Sequence, residues 1–389
     1  MIRSVVLTFS LLTGGLGILP ASAAAAPASE DPVQAALDEA LARAAAKAGD
    51  PGVQAVVIRD GKLIWSANSG KAVNDPPSPV TDSTMFGFAS FGKNILGAYA
   101  LHQVESGVLA LDKPISAYVG KEVPGSDAVT LRMLLTHTAG YPDLYDDPKT
   151  APLFPPDGAQ YDPNRPYTFA MLAPGIRKPV APGKRYDYSN TGFIILSRVL
   201  SRTAGGDEAL ERDIRRFLQR AGETSELLTA ERSRSAFLRF AHGYDYESAG
   251  KPIDTFTAFG ATGIPTDLYG LPFGDGLFAG TALGGAKFLD ALYVRDRLLR
   301  PDTVKKMITS SPQAVAQDDT YGMATERATV GGRVWQGHPG AFAGFTSMGA
   351  TDMARGVTLM VVTNRDGSDE DPAGTIWQEL ATAYTSVTH

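Results

Sequence analysis

The 389-residue chain contains no cysteine. That one absence excludes disulfides, a thiolate nucleophile, thiolate metal sites and a lipid-bearing N-terminal Cys. Histidine is scarce, with five in all, and no H-E-x-x-H occurs; His102 and His242 show no metal-ligand spacing. No metal and no cofactor is therefore expected. G-x-S-x-G is also missing, which weighs against the strand–turn–helix nucleophile of α/β-hydrolases. Positive charge is not in excess: 36 Lys and Arg against 42 Asp and Glu leave a formal net charge of −6. With no Lys/Arg-dense face, nucleic acid is not an expected partner. After residue 19 no segment approaches the ~18 apolar residues of a membrane helix, so no stable membrane anchor is expected.

The one long apolar run lies at the start. Arg3 precedes a largely apolar stretch, 5–19, and Ala21-Ser22-Ala23 makes a small-residue cleavage site. Residues 1–23 are thus expected to be a secretory signal peptide, with export to the periplasm or the medium. Residues 24–389 carry the fold, and a 43% hydrophobic content supports a real core.

Asp31-Pro32 is a helix start with Gly49 as its stop, and 53–59 and 62–69 are β-rich runs around the two-residue turn Asp60-Gly61. From Ser90, Ile95, Leu96, Tyr99 and Val104 recur at helical spacing and Gly107 closes the helix. Further helices are expected over 130–135, over 191–203 with Asn190 as cap, and over 208–221. Strands are expected over 331–336, 341–349 and 356–363, then a closing helix over 375–384. Strands at both ends around an α-rich middle imply an α+β fold. One antiparallel sheet is completed by both chain ends, with an inserted, mostly helical lobe. The α/β lobe is placed at 31–85 plus 312–389, and the helical lobe at 86–311. Within the latter, 142–182 holds ten prolines in 41 residues. It reads either as a long surface loop or as a lid or cleft wall.

Three short signals can carry chemistry. In Ser90-Phe-Gly-Lys93 the spacing places Lys93 over the Ser90 hydroxyl on one helix face. An ammonium in a first helical turn, near other donors, is disfavoured, which lowers its pKa and lets it act as a base. The bland alternative is a capping serine and a solvated lysine, but a capping box wants Glu or Gln at the third position. Ser248-Ala-Gly-Lys251 has the same spacing without helical periodicity and reads as accidental. Tyr188, in Tyr188-Ser189-Asn190, either shares proton transfer with Lys93 or packs in a core. Asn190 either orients the substrate and the Lys93 ammonium or caps a helix. In His338-Pro339-Gly340, Gly340 permits close approach of a ligand to the backbone, and the Ala341 N–H joins the Ser90 N–H in an oxyanion hole. His338 alone reads equally as an exposed strand residue, and His137 as structural.

These motifs, with Gly107-Val-Leu-Ala-Leu-Asp112, Leu131-Arg-Met-Leu-Leu-Thr-His-Thr-Ala-Gly140 and Pro182-Gly-Lys-Arg-Tyr-Asp-Tyr-Ser-Asn190, resemble the β-lactamase-related serine hydrolases. That family includes class C β-lactamases, D-alanyl-D-alanine carboxypeptidases and family VIII esterases. The resemblance implies a β-lactamase/transpeptidase-like fold, Ser90 as nucleophile, Lys93 and Tyr188 as base pair, and His338 in the place usually held by Lys or His. It is poor over 142–181 and 205–255. Phe91 departs from the small or aliphatic residue common in the family, and is expected to reshape the cleft floor. Pro339 replaces the hydroxyl residue of penicillin-recognising members and removes a donor for a substrate carboxylate. The expected activity is hydrolysis of a neutral ester or amide, in a small molecule or short peptide, through an acyl-Ser90 intermediate. The alternatives are a carboxypeptidase or β-lactamase, acyl transfer to another acceptor, and a catalytically silent ligand-binding relative.

Overall fold

The computed structural model describes residues 31–49, 51–155, 158–222, 227–228, 234–246, 252–342, 344–367 and 371–388. The expected signal peptide and the Ser248/Lys251 pair lie outside these residues. Six strands form the main sheet: β1 (Val53–Arg59), β2 (Lys62–Ser69), β3 (Glu326–Val330), β4 (Arg333–Phe342), β5 (Phe345–Asp352) and β6 (Val357–Thr363). Their order is β3-β4-β5-β6-β1-β2, with every neighbouring pair antiparallel. The first hairpin therefore docks on the last strand, from Val53 opposite Thr363 to Arg59 opposite Val357. Asp60 (φ 49°) and Gly61 (φ 77°) make the turn between β1 and β2, the left-handed pair that a two-residue hairpin requires.

The helices that position the site are, in chain order, α1 (Pro32–Lys47), α2 (Gly92–Glu105), α3 (Leu131–Leu135), α4 (Asn190–Ala204), α5 (Ala282–Tyr293) and α6 (Pro372–Val387). β1 and β6 are apolar on both faces because both faces are covered. Val53, Ala55, Val57, Leu359 and Val361 pack with α1 and α6, where Trp335 and Trp377 meet edge to face at 5.3 Å. Val56, Ile58, Met360 and Val362 face the opposite core, which includes Phe288 and Leu289 of α5. Helix α5 falls within the 86–311 segment, yet it lies against the sheet.

Two expectations about elements are corrected, and the two readings of the Pro-rich segment are separated. Asn190 is the first helical residue of α4, not its cap; Ser189 caps, its Oγ accepting from the Gly192 N–H at 3.3 Å. Strand β4 runs through His338-Pro339-Gly340 instead of starting after it. Its pairing with β3 ends at Gly337, opposite Glu326, so 338–342 is paired on the β5 side only, and Pro339 stands on a locally free edge. The Pro-rich segment is not a loop lying on the surface. Phe154 and Tyr167 are buried in the main core, stacked at 5.8 Å, and Tyr167 meets Phe273 at 5.0 Å.

Candidate active site

The nucleophile segment begins with a strained residue. Ala89 has φ 47°, in the left-handed region that disfavours a Cβ. A single 3-10 turn, Ala89–Phe91, then leads into α2. Phe88 and Phe91 anchor this turn in the core, with rings 5.3 Å apart and Phe91 on Phe288 at 6.4 Å. Phe91 is fully buried, so it does not form the cleft floor. Ser90, between the two anchors, is half-buried and lines a cleft of about 1010 Å³.

Lys93, one turn on, is fully buried and aims its Nζ back at Ser90 Oγ, 2.8 Å away. The same nitrogen donates to Asn190 Oδ1 at 2.9 Å and to the Asp275 carbonyl at 3.2 Å, and it lies 4.9 Å from the centre of the Tyr188 ring. Burial lowers its pKa to about 8, against the upward pull of Asp275, Asp143 and Glu326. Tyr188 lines the cleft together with Ser90. Although 38% of the residue faces the open cleft, desolvation raises its phenol well above the ordinary value. Lys93 is therefore the easier group to deprotonate, and Tyr188 is suited to pass a proton as a phenol. Asn190 Nδ2 donates to Asp143 Oδ2 at 2.9 Å, so both ends of its amide are held by the protein and set the Lys93 ammonium. Asn190 also lines the cleft, and its amide keeps a second Nδ2 hydrogen beyond the one given to Asp143.

The expectation for Gly340 is corrected as well. A Cβ there would lie 2.4 Å from the Phe88 carbonyl and 2.8 Å from the Phe91 nitrogen. What approaches Gly340 is the protein's own nucleophile turn, not a ligand. Ala341, the next residue, is exposed and lines the cleft with Ser90. His338 is not an exposed strand residue: it is 1% exposed, and burial lowers its pKa to about 3. It offers no charge to a substrate. Its Nε2 meets the Tyr321 hydroxyl at 3.0 Å, and that hydroxyl meets His137 Nε2 at 3.1 Å.

Several site residues were not singled out from the sequence. Asp143 and Tyr145 come from the Pro-rich segment, which walls the cleft; Tyr145 donates to Asp275 Oδ2 at 3.0 Å. Asp275, with its carboxyl raised by burial to about 6, sits between Gly274 and Gly276. A Cβ on Gly274 would meet the Phe193 carbonyl at 2.2 Å. An acid flanked by glycines at a forced close approach is the signal that could have drawn attention to it. Among the described residues no group of three His, Cys, Asp or Glu could hold a metal ion, and no helix is long and apolar enough to cross a membrane.

A sequence model of the beta-lactamase family matches residues 37–384. The chain belongs to the beta-lactamase family. As a member it is a serine hydrolase, and it has the β-lactamase/transpeptidase-like fold. "Penicillin-binding protein 4*" of Bacillus subtilis is 22% identical over 80% of this chain and 67% of its own length. The esterase EstB of Burkholderia gladioli is 35% identical over a shorter stretch, 23% of this chain and 24% of EstB. Among solved structures, a D-amino acid amidase from Ochrobactrum anthropi superimposes with a TM-score of 0.71 at 21% identity, covering 91% of this chain and 98% of the amidase.

Proposed function

We propose that this family member is an exported hydrolase that cleaves an ester or amide through an acyl-Ser90 intermediate and prefers neutral to carboxylate-bearing substrates. The observation that carries the reading is the buried Lys93 amine, 2.8 Å from Ser90 Oγ and with its pKa held near 8. As the neutral amine it takes the Ser90 proton while Oγ attacks the substrate carbonyl. The oxyanion forms against the Ser90 and Ala341 N–H groups. Collapse expels the leaving group, which receives its proton through Tyr188, and water then enters by the reverse route. A silent binding protein has no need of a lysine desolvated against a serine.

Discrimination against carboxylates has two supports. Pro339 carries neither hydroxyl nor N–H, and a hydrogen bond to a charged group is worth ~1.5–3 kcal/mol. The cleft is lined by Asp143, Asp146, Asp267 and Asp275, with no Lys, Arg or His among its described lining residues. A substrate carboxylate meets like charge there. The relatives named as penicillin-binding protein and amidase keep a carboxypeptidase, β-lactamase or amidase in view. Export rests on the leader-like 1–23.

The test is intact-mass spectrometry of chain 24–389 after brief exposure to a slow p-nitrophenyl ester. One acyl adduct on Ser90 is expected, abolished in Ser90→Ala and retained in Ser248→Ala. An adduct on Ser248, or on no serine, would remove the mechanism. A kcat/KM for a penicillin or a D-Ala-D-Ala peptide above that for every short neutral ester would promote the carboxypeptidase or β-lactamase reading.

A further inference from the structure

His137, Tyr321 and His338 are buried side by side, and none of them faces the cleft. Their hydrogen bonds admit one direction only. At one end the Ser189 backbone N–H, which can only donate, meets His137 Nδ1 at 3.1 Å. Nδ1 therefore carries no proton, and the neutral His137 ring has its hydrogen on Nε2. That N–H donates to the Tyr321 oxygen at 3.1 Å, so the phenol proton is free to go on to His338 Nε2 at 3.0 Å. His338 Nε2 is then an acceptor and Nδ1 bears the hydrogen, which is donated to the Pro339 carbonyl at 2.6 Å. A carbonyl can only accept, so both ends of the chain agree. Glu326 Oε1, 3.9 Å from His338 Nε2, faces a neutral ring and forms no ion pair with it.

The two ends of this chain sit in the two halves of the active site. Ser189 lies between Tyr188 and Asn190; Pro339 lies beside Gly340 and two residues from Ala341. His137 also adopts a costly backbone. It follows α3 and Thr136 with φ 52°, while His137 N–H bonds Leu134 O at 3.3 Å and Thr138 N–H bonds Met133 O at 2.9 Å. That is the helix-ending pair whose left-handed position ordinarily takes glycine. A β-carbon there is tolerated for what the side chain does.

We propose that Tyr321 is a positioning residue: by locking His137 and His338 in complementary neutral tautomers, it holds Tyr188 and Asn190 in register with the oxyanion edge at Gly340 and Ala341. Tyr321 touches no reacting atom, and its effect on rate rests on the Ser90 chemistry proposed above. The tautomer pattern does not.

The deciding variant is Tyr321→Phe, which keeps the ring packed on His137 (4.7 Å) and His338 (5.7 Å) and deletes only the hydroxyl. Measured per active site titrated by the ester burst, its kcat is expected to fall about ten- to hundredfold with KM nearly unchanged. A purely structural role would lower the titrated fraction and leave the per-site rate alone. His338→Gln, whose amide oxygen can accept from Tyr321, should retain more activity than His338→Leu. In the 15N-histidine-labelled full chain at pH 7, nitrogen NMR should find His137 protonated on Nε2 and His338 on Nδ1. Tyr321→Phe should also displace the Ser189 and Ala341 amide resonances. A per-site kcat within twofold of wild type, an imidazolium at either position, or unmoved amides would each overturn the proposal. If wild type gives no burst with any ester or amide, the function fails instead, and the resonances alone decide the tie.

Discussion

The cleft has two walls that treat buried ionisable groups in opposite ways. The wall built from the Pro-rich segment and the 272–276 turn keeps its acids: Asp143 and Asp275 pull the Lys93 pKa upward. The wall behind Tyr188 neutralises its bases, holding His137 and His338 uncharged within a closed hydrogen-bond chain. Lys93 stands between them. Had the histidines been charged, their repulsion would drive the amine pKa further down; had the acids been absent, burial alone would do so. The value of about 8 is the balance, and it leaves a useful fraction of neutral amine near neutral pH.

The largest break in this balance is Lys93 itself. Lys93→Ala and Tyr188→Phe should each lower kcat/KM by about a thousandfold or more, with the double mutant no worse than the weaker single. Multiplying losses in single-turnover assays would refute a shared proton path. Gly340→Ala comes next. Its Cβ would press on the Phe88 carbonyl and on Ser347 Oγ, 2.6 Å away, displacing the nucleophile turn from the strand edge. Acylation should fall about a hundredfold, with stability lowered by ~1–3 kcal/mol in urea titrations.

Smaller effects sharpen the contrast between the walls. Asp275→Asn removes the largest charge that raises the Lys93 pKa. The acidic limb of kcat/KM, which reports the coupled Lys93–Tyr188 pair, should move to lower pH. A limb that stays in place would detach the acidic wall from the base. Stability carries the same signature. The folded Lys93 pKa of about 8 lies below its unfolded 10.5, so between these values the unfolded chain binds more protons. Folding should therefore gain stability as pH rises from about 8 to 10, a slope that Lys93→Met should reduce. The smallest effect is Pro339→Thr. It should shift selectivity toward carboxylate substrates by no more than about tenfold, because the acidic lining remains. A hundredfold shift in competition assays would show that Pro339, and not the carboxylates, sets the preference.

Much of this was legible in advance where it depended on neighbours in sequence. Ser90 and Lys93 meet because three residues on a helix make one face, and Asp60-Gly61 turns because both positions take positive φ. The hydrophobic runs 53–59 and 356–363 announced strands at both ends. Misreadings arose where one residue type serves two purposes. Gly340 suits a ligand or a neighbouring backbone equally, and Asn190 and Ser189 are both good caps; only packing chooses between them.

By itself, then, the sequence determined the local elements, the serine–lysine pair, the lack of thiol chemistry and the family. Tertiary structure alone decided the electrostatics. Desolvation depends on everything packed around a group, and Lys93 is buried by segments 97 and 182 residues away in the chain. The same holds for His338, which burial converts from a candidate charge into a neutral link, against the upward pull of the Pro339 carbonyl. No spacing rule reaches across such distances, because a pKa is a property of a surrounding volume and not of a stretch of chain.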